Sequence, residues 1–272
     1  MKLYLQQGYR KALQQPFACI ILFLYQLGWG MLLYKLVQSV VVPLMHRYPQ
    51  NGEPRQAVQL FLAESQFQLF KTDLSHAYLG WLAALLLIRM LLMPALTAGV
   101  YYSLAHPELH AGYRFVKGIG ALTVPFLFYY VMRIALTLLP LVWLVPKANR
   151  LLAHSLSYEA VLKNLLPWFA GLLVYGYVLH LVFMYLQFAK VQRTGTLSAL
   201  LTFVLNGLPI LALACVTLLA GGLLTGLTAA LTCIWAGLFA LIVYQLAALF
   251  RMWLQVWAIA AQYQLWNAKS NG

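Results

Sequence analysis

From Thr194 to Phe250 the chain carries no Asp, Glu, Lys, Arg or His. A water-soluble domain must show charge to solvent somewhere. About 20 apolar residues, rising about 1.5 Å each, cross the hydrocarbon core of a bilayer. This stretch is long enough to cross twice, with Gly221, Gly222 and Gly226 as the expected turn. The bilayer is then the solvent that the backbone must satisfy, and helices satisfy it by pairing their polar groups internally. The expected fold is all-α: a polytopic transmembrane helical bundle of about six crossings, with amphipathic interfacial helices.

The composition fits. Hydrophobic residues make up 63% of the chain and charged ones 8%, against about 25% charged in ordinary globular domains. Crossings and loops fill 272 residues and leave no room for a separate soluble catalytic domain. The net charge is +13, from 18 Lys and Arg against 5 Asp and Glu. In a soluble protein that balance would suggest nucleic acid. Here the cations fall mainly at segment ends, where they meet anionic headgroups and set orientation. Membrane lipids are therefore the expected partners, and nucleic acid is not. Cys19, Cys215 and Cys233 lie in apolar runs, outside any paired motif, and read as small buried hydrophobes.

Residues 1–15 place Leu5, Tyr9, Ala12 and Leu13 on one helical face and Gln6, Arg10 and Gln14 on another. That pattern predicts an amphipathic helix on the membrane surface. Crossings are expected at about 17–45, 78–105, 118–145, 164–188, 197–220 and 226–250, with 251–266 as an amphipathic extension. The run after Lys2, Arg10 and Lys11 is too long for a signal peptide and reads as a retained first crossing. Residues 46–77 are the most polar part, with an interfacial helix expected at 56–76. Residues 106–117 and 146–163 read as loops, and Ser157 as a cap for a helix carrying Glu159 near its start. Pro140 offers an alternative in which the third segment folds back as a hairpin.

With the N-terminus inside, the inner segments hold nine cations: Lys2, Arg10, Lys11, Arg114, Lys117, Lys190, Arg193, Arg251 and Lys269. The outer ones hold six: Arg47, Arg55, Lys71, Lys147, Arg150 and Lys163. The bias favours a cytoplasmic N-terminus.

All five acids, Glu53, Glu64, Asp73, Glu108 and Glu159, fall outside the crossings. A carboxylate at membrane depth is the usual partner of a coupled proton or sodium ion, so ion-coupled transport is not expected. Lys35, Arg89, Arg133 and Arg251 do lie within apolar segments. Burying such a charge costs about 2.5–3.5 kcal/mol on insertion scales. Each must snorkel, reach water or bind an anion. Arg89, Arg133 and Lys35, with Tyr129 and Tyr130 one turn before Arg133, form the candidate site for an anionic lipid or solute. The alternative is that these cations cap helix ends or reach the interface.

His106, Glu108 and His110 lack the order of the zinc-protease motif and read as interfacial loop residues. His180 reads as hydrogen-bonded to a neighbouring helix. No phosphate loop and no serine-nucleophile motif occurs. No cofactor or metal is expected, and catalysis is not.

Three stretches carry a resemblance. The second crossing ends Pro94-Ala95-Leu96-Thr97-Ala98-Gly99-Val100-Tyr101-Tyr102, and Gly112-Tyr113-Arg114-Phe115 follows. Ser155-Leu156-Ser157-Tyr158-Glu159-Ala160-Val161-Leu162 comes after the third. With the basic amphipathic start, this order resembles the bacterial six-helix membrane domain found beside glycerophosphodiester phosphodiesterases, in its stand-alone form. The resemblance implies a bacterial plasma-membrane protein acting in envelope or lipid homeostasis. The phosphodiesterase domain is absent, so that activity does not carry over. The functional expectation is a non-catalytic protein that binds anionic lipid or assists transport. The alternative is the permease subunit of an exporter driven by a separate cytoplasmic ATPase, or a helper of another membrane protein, docking through 106–117.

Overall fold

A computed structural model describes residues 2–47, 74–154, 158–235 and 237–270. The described residues are 94% helical, with eight helices and no strand. They are α1 Lys2–Leu13, α2 Pro16–Arg47, α3 Leu74–Ala105, α4 Ala111–His154, α5 Tyr158–Val191, α6 Thr196–Leu205, α7 Gly207–Ile234 and α8 Leu238–Ser270. Six stretches are long and apolar enough to span a membrane: Pro16–Ser39, Tyr78–Ala105, Ala111–Leu151, Lys163–Val191, Gly207–Ile234 and Ile242–Ser270. The side chains on them decide the solvent. Leu208 is 85% exposed, and Val124 and Val142 are each 78% exposed. Large apolar side chains this bare require hydrocarbon around them. The protein is a multi-pass helical membrane protein.

The chain forms two compact units, residues 21–93 and residues 1–20 with 94–272. In the first, α2 and α3 run antiparallel: Arg89 lies over Trp29, and Tyr78 is the partner of Ser39.

In the second unit, buried side chains gather where α3 ends, α4 begins, α5 ends and α8 ends. This is the proximal end. Tyr101 packs on Phe126 and Phe188, Phe188 on Tyr263, and Tyr185 on Trp266, with ring centroids 5.1–5.8 Å apart. Beyond this cluster α4 pairs with α5 and α7 with α8, as two antiparallel hairpins.

Several expectations change. The helix α7 runs straight through Gly221, Gly222 and Gly226 to Ile234, and α8 starts at Leu238, just after Gly237 with φ +93°. Glycine weakens a helix in water mainly by freeing the backbone to other pairings; hydrocarbon offers none. The real break in this region separates α6 from α7 at Asn206. Pro209 causes it: it has no N–H for the Leu205 carbonyl, and its ring crowds that carbonyl. Proline remains tolerated there because it falls in the first turn of α7. By contrast α4 continues through Pro125, Pro140 and Pro146, so the alternative hairpin at Pro140 does not form.

The expected loop at 146–163 is mostly helix, because α4 reaches His154 and α5 starts at Tyr158. That start puts Glu159 in the first turn of α5; Ser155, Leu156 and Ser157 lie outside the described residues, as does all of the expected interfacial helix at 56–76 except its last three residues, which open α3. Residues 251–266 are no peripheral extension. Val256, Ala260, Ala261, Gln262, Leu265 and Trp266 are among the most buried residues of the protein. One cause is α1, which docks on this part of α8 at Ala261, while Gln262 and Trp266 are covered by α5 and α7. Gly8 permits the approach: a Cβ there would lie 2.6 Å from Ala261 Cα. The docked face of α1 is therefore Gly8 and Ala12, while Tyr9 and Leu13 stay exposed. Trp257 Nε1 donates to the Leu5 carbonyl at 3.1 Å, and Tyr9 meets Trp253 edge-on. Of the three cysteines only Cys19 is buried; Cys215 and Cys233 face outward, as a spanning helix allows when its surroundings are apolar.

Candidate functional site

Polar side chains concentrate at the proximal end, and two networks fix its walls. Arg114, 5% exposed, is the centre of the first. It sits one turn into α4, not in a loop. Its Nη2 donates to the Gln14 carbonyl at 2.9 Å and to Gln15 Oε1 at 3.1 Å, and its Nη1 donates to the Pro107 carbonyl at 3.3 Å. Gln15 in turn donates to the Ser103 carbonyl at 2.9 Å. One guanidinium so ties the end of α1 to the α3–α4 turn and caps carbonyls left bare by α1. The glycines of this region let the elements close: a Cβ on Gly118 would lie 2.5 Å from Tyr102 Cβ, and one on Gly99 2.9 Å from the Phe115 ring. The Pro94–Tyr102 and Gly112–Phe115 stretches thus serve close packing of α3 on α4.

The second network joins α5 to α8. Gln192 donates from Nε2 to Tyr263 Oη at 3.1 Å and to Asn267 Oδ1, and accepts from Trp266 Nε1 at 2.7 Å. Tyr185 donates to Gln262 Oε1 at 2.9 Å, and Gln262 Nε2 donates to the Ile210 carbonyl at 3.1 Å.

Between these networks lies a cavity of about 790 Å³. Lys190, Gln192, Arg193 and Thr194 come from the end of α5, Tyr102 and His106 from the end of α3, and Tyr263 from α8. Among the described residues its lining includes no carboxylate. His106 stacks on Tyr102 at 4.1 Å and its Nδ1 lies 3.2 Å from the Tyr102 carbonyl. A carbonyl only accepts, so Nδ1 carries the proton. Lys11 sits 5.3 Å from the Tyr263 ring centroid, and burial holds its ammonium below the usual lysine value.

Arg193 is the unusual residue. The Thr194 N–H bonds to the Ala189 carbonyl at 2.9 Å and the Arg193 N–H to the Lys190 carbonyl at 3.3 Å. Those two bonds form a Schellman cap, whose left-handed position normally belongs to glycine. Here Arg193 holds it, at φ +57°. A Cβ in that region costs about 1–2 kcal/mol, so local backbone economy does not account for an arginine there.

The residues picked out from sequence lie elsewhere. Lys35 is exposed on α2, and Arg89 stacks on Trp29, 5.4 Å from its ring centroid; both belong to the 21–93 unit. In the other unit Arg133 lies 5.3 Å from the Tyr130 ring centroid and its Nη1 is 2.7 Å from His180 Nδ1. So Tyr130 offers Arg133 its ring face, and His180 is bonded to a neighbouring helix as expected. Tyr129 turns to Phe183. Arg251 rests on Tyr244 and bonds the Ala247 carbonyl. In the sequence Lys190 and Arg193 stand out only as two of the inner cations. The missed signal was Gln192-Arg193-Thr194 at a helix end with no glycine at the capping position.

Chemically, the cavity presents two full cations, an imidazole and several neutral donors. Among the described residues no group of three His, Cys, Asp or Glu lies close enough to hold a metal ion. Comparison with protein-family models, curated sequences and solved structures finds no match.

Proposed function

We propose that this protein binds the anionic headgroup of a membrane phospholipid in the proximal cavity. The observation that carries the reading is a cavity lined by Lys190 and Arg193, with no carboxylate among the described residues, at the end of membrane-spanning helices. A phosphate there gains charge-assisted hydrogen bonds from both cations and from Thr194. The aromatic walls, Tyr102 and Tyr263, suit the glycerol and upper acyl region of a lipid. In this reading the chain works without catalysis of its own, in a bacterial plasma membrane, in lipid or envelope homeostasis; the resemblance noted in the sequence supports that setting. The proximal cations Lys2, Arg10, Lys11, Arg114, Lys117, Lys190, Arg193 and Lys269 favour a cytoplasmic N-terminus. The permease alternative is weaker, because the expected docking loop at 106–117 is helix from Ala111 onward and its Arg114 is buried.

The test is native mass spectrometry of detergent-purified protein with phosphatidylglycerol, phosphatidylcholine or inorganic phosphate. Retention of phosphatidylglycerol that is lost in Lys190→Gln/Arg193→Gly supports the reading. Retention of inorganic phosphate alone points to a soluble anion. Equal retention of both lipids, or no effect of the double substitution, overturns it. Arg89→Ala/Arg133→Ala, measured alongside, tells whether the spanning arginines hold the same lipid.

A further inference from the structure

The α4–α5 hairpin carries cations at three depths along one seam. Leu122 of α4 lines the proximal cavity, opposite Lys190 of α5. Arg133 follows eleven residues later, and Lys147 fourteen after that. Those intervals are close to three and four helical turns, so all three positions share the face of α4 that meets α5. The pairings agree: Tyr129 meets Phe183, Arg133 meets His180, Tyr175 Oη donates to the Leu136 carbonyl, and Trp143 meets Trp168.

Helix rise sets the depths. Leu122 to Trp143 spans about 32 Å, close to one hydrocarbon thickness of about 30 Å. The proximal cavity then lies at one interface, and Trp143 and Trp168 at the other, where interfacial tryptophans belong. Arg133 falls about 17 Å from Leu122 and about 21 Å from Lys147, near the midplane. His180 lies ten residues from Lys190 on α5 and shares that depth.

At the distal interface Lys147 Nζ lies 3.5 Å from the Trp168 ring centroid and 5.1 Å from that of Trp143. Below it the seam opens into an apolar groove of about 500 Å³, lined by Pro140, Leu144, Pro167, Gly171 and Leu172. Two prolines and a glycine remove donors and side-chain bulk where the helices would otherwise close.

The midplane group is the informative one. Arg133 is half-exposed and His180 exposed. The Arg133 Nη1–H donates to Nδ1, so the neutral ring keeps its proton on Nε2. The guanidinium therefore has a neutral partner, and a second donor sits beside it on a lipid-facing surface. A cation at this depth with no counter-anion among the described residues is costly unless an anion visits it. The barrier to moving a phospholipid across a bilayer is the polar headgroup in hydrocarbon, and a fixed opposite charge at the midplane lowers that barrier for an anionic headgroup.

We propose that the α4–α5 seam is a track along which an anionic phospholipid headgroup crosses the membrane, from the proximal cavity past Arg133 and His180 to Lys147, while its acyl chains stay in lipid. This rests on the reading of the proximal cavity as a lipid site. No energy source is involved; the lipid equilibrates between leaflets.

The test reconstitutes purified protein in phosphatidylcholine vesicles containing a minor fraction of phosphatidylglycerol. Trace fluorescent phosphatidylglycerol or phosphatidylcholine is added, and dithionite reads the fraction in the outer leaflet over time. Wild type is expected to move phosphatidylglycerol faster than phosphatidylcholine and faster than protein-free vesicles do. Arg133→Gln and Lys147→Gln should each slow it by about tenfold, because each removes a fixed counter-charge. Phosphatidylglycerol retained at the proximal cavity in mass spectrometry should not change. Should Arg133→Gln fail to fold, the half-buried interfacial variant Lys147→Gln carries the test. Equal rates for the two lipids, no protein-dependent movement, or unchanged rates in both variants overturn the track. If wild type retains phosphatidylglycerol yet does not move it, the track alone falls; if it does neither, the cavity reading falls as well.

Discussion

Arg193→Gly separates binding from folding more sharply than any other substitution in this protein. Arg193 occupies the left-handed capping position of α5 at φ +57°. Relieving the Cβ clash returns about 1–2 kcal/mol, of which the greater freedom of glycine in the unfolded chain takes back about 0.5–1 kcal/mol. The net expectation is a fold more stable by about 0.5–1 kcal/mol. A charge-assisted hydrogen bond is worth about 1.5–3 kcal/mol. Arg193 is exposed, so solvent screening reduces its share to about 1 kcal/mol. That corresponds to about fivefold weaker binding of phosphatidylglycerol, at tenfold per 1.4 kcal/mol. The assays are thermal unfolding in detergent and lipid titration by native mass spectrometry. Two companions complete the set: Arg193→Ala keeps the strain and loses the charge, and Arg193→Lys keeps both. Glycine should rank most stable and, with alanine, weakest in binding; lysine should bind nearly as wild type does. If the glycine variant unfolds at lower temperature, the side chain holds the structure together. If it binds lipid as tightly as wild type, the cavity is not the site.

Three further substitutions probe the walls. Gly8→Val places side-chain atoms against the Ala261 backbone; overpacking of about 1–3 kcal/mol should undock α1 and speed tryptic cleavage at Arg10 and Lys11, and an unchanged cleavage rate would contradict the close approach. Arg114→Met strands the acceptors on Gln14, Gln15 and Pro107 and should cost about 2 kcal/mol; Arg114→Lys should rescue little, since one ammonium cannot reproduce the fork, and full rescue by lysine would show that charge alone matters there. Pro209→Ala gives the Leu205 carbonyl a donor and should merge α6 with α7, seen as slow hydrogen exchange at the new amide of residue 209; rapid exchange there would place the cause of the break elsewhere.

The crossings were legible because hydrocarbon imposes a length and an apolarity that few other environments demand. Tyr78–Ala105 matches the expected second crossing residue for residue, and the fourth, Lys163–Val191, differs by a few. The last two were misplaced for one physical reason. Gly221, Gly222 and Gly226 were read with the rules for helices in water, where a bare backbone finds other partners. In lipid it has none, and α7 runs on to Ile234. Moving that turn shifts the whole of α8 and converts the expected surface extension at 251–266 into the buried seat of α1. The amphipathic pattern of residues 1–15 was real, but its destination was not readable: Gly8 carries no apolar weight in a periodicity argument, yet it decides the contact.

The site was legible only as chemistry, not as place. An excess of cations over acids, with apolar segments around them, pointed to anions before any geometry was known. Hydropathy then drew attention to the cations deep in the crossings, since those carry the largest cost. Arg133 keeps its interest on structural grounds, as the midplane member of a seam with His180. The cavity itself depends on Tyr102, His106, Lys190, Arg193 and Tyr263, drawn from segment ends far apart in the chain, and no local pattern links them. What the chain does show locally is a helix ending in Gln192-Arg193-Thr194 where a glycine would be easier to build. A residue held against its own backbone preference is held for its side chain. In a protein with so few acids, a guanidinium at the mouth of a cavity without a carboxylate has an anion from outside the chain as its natural partner.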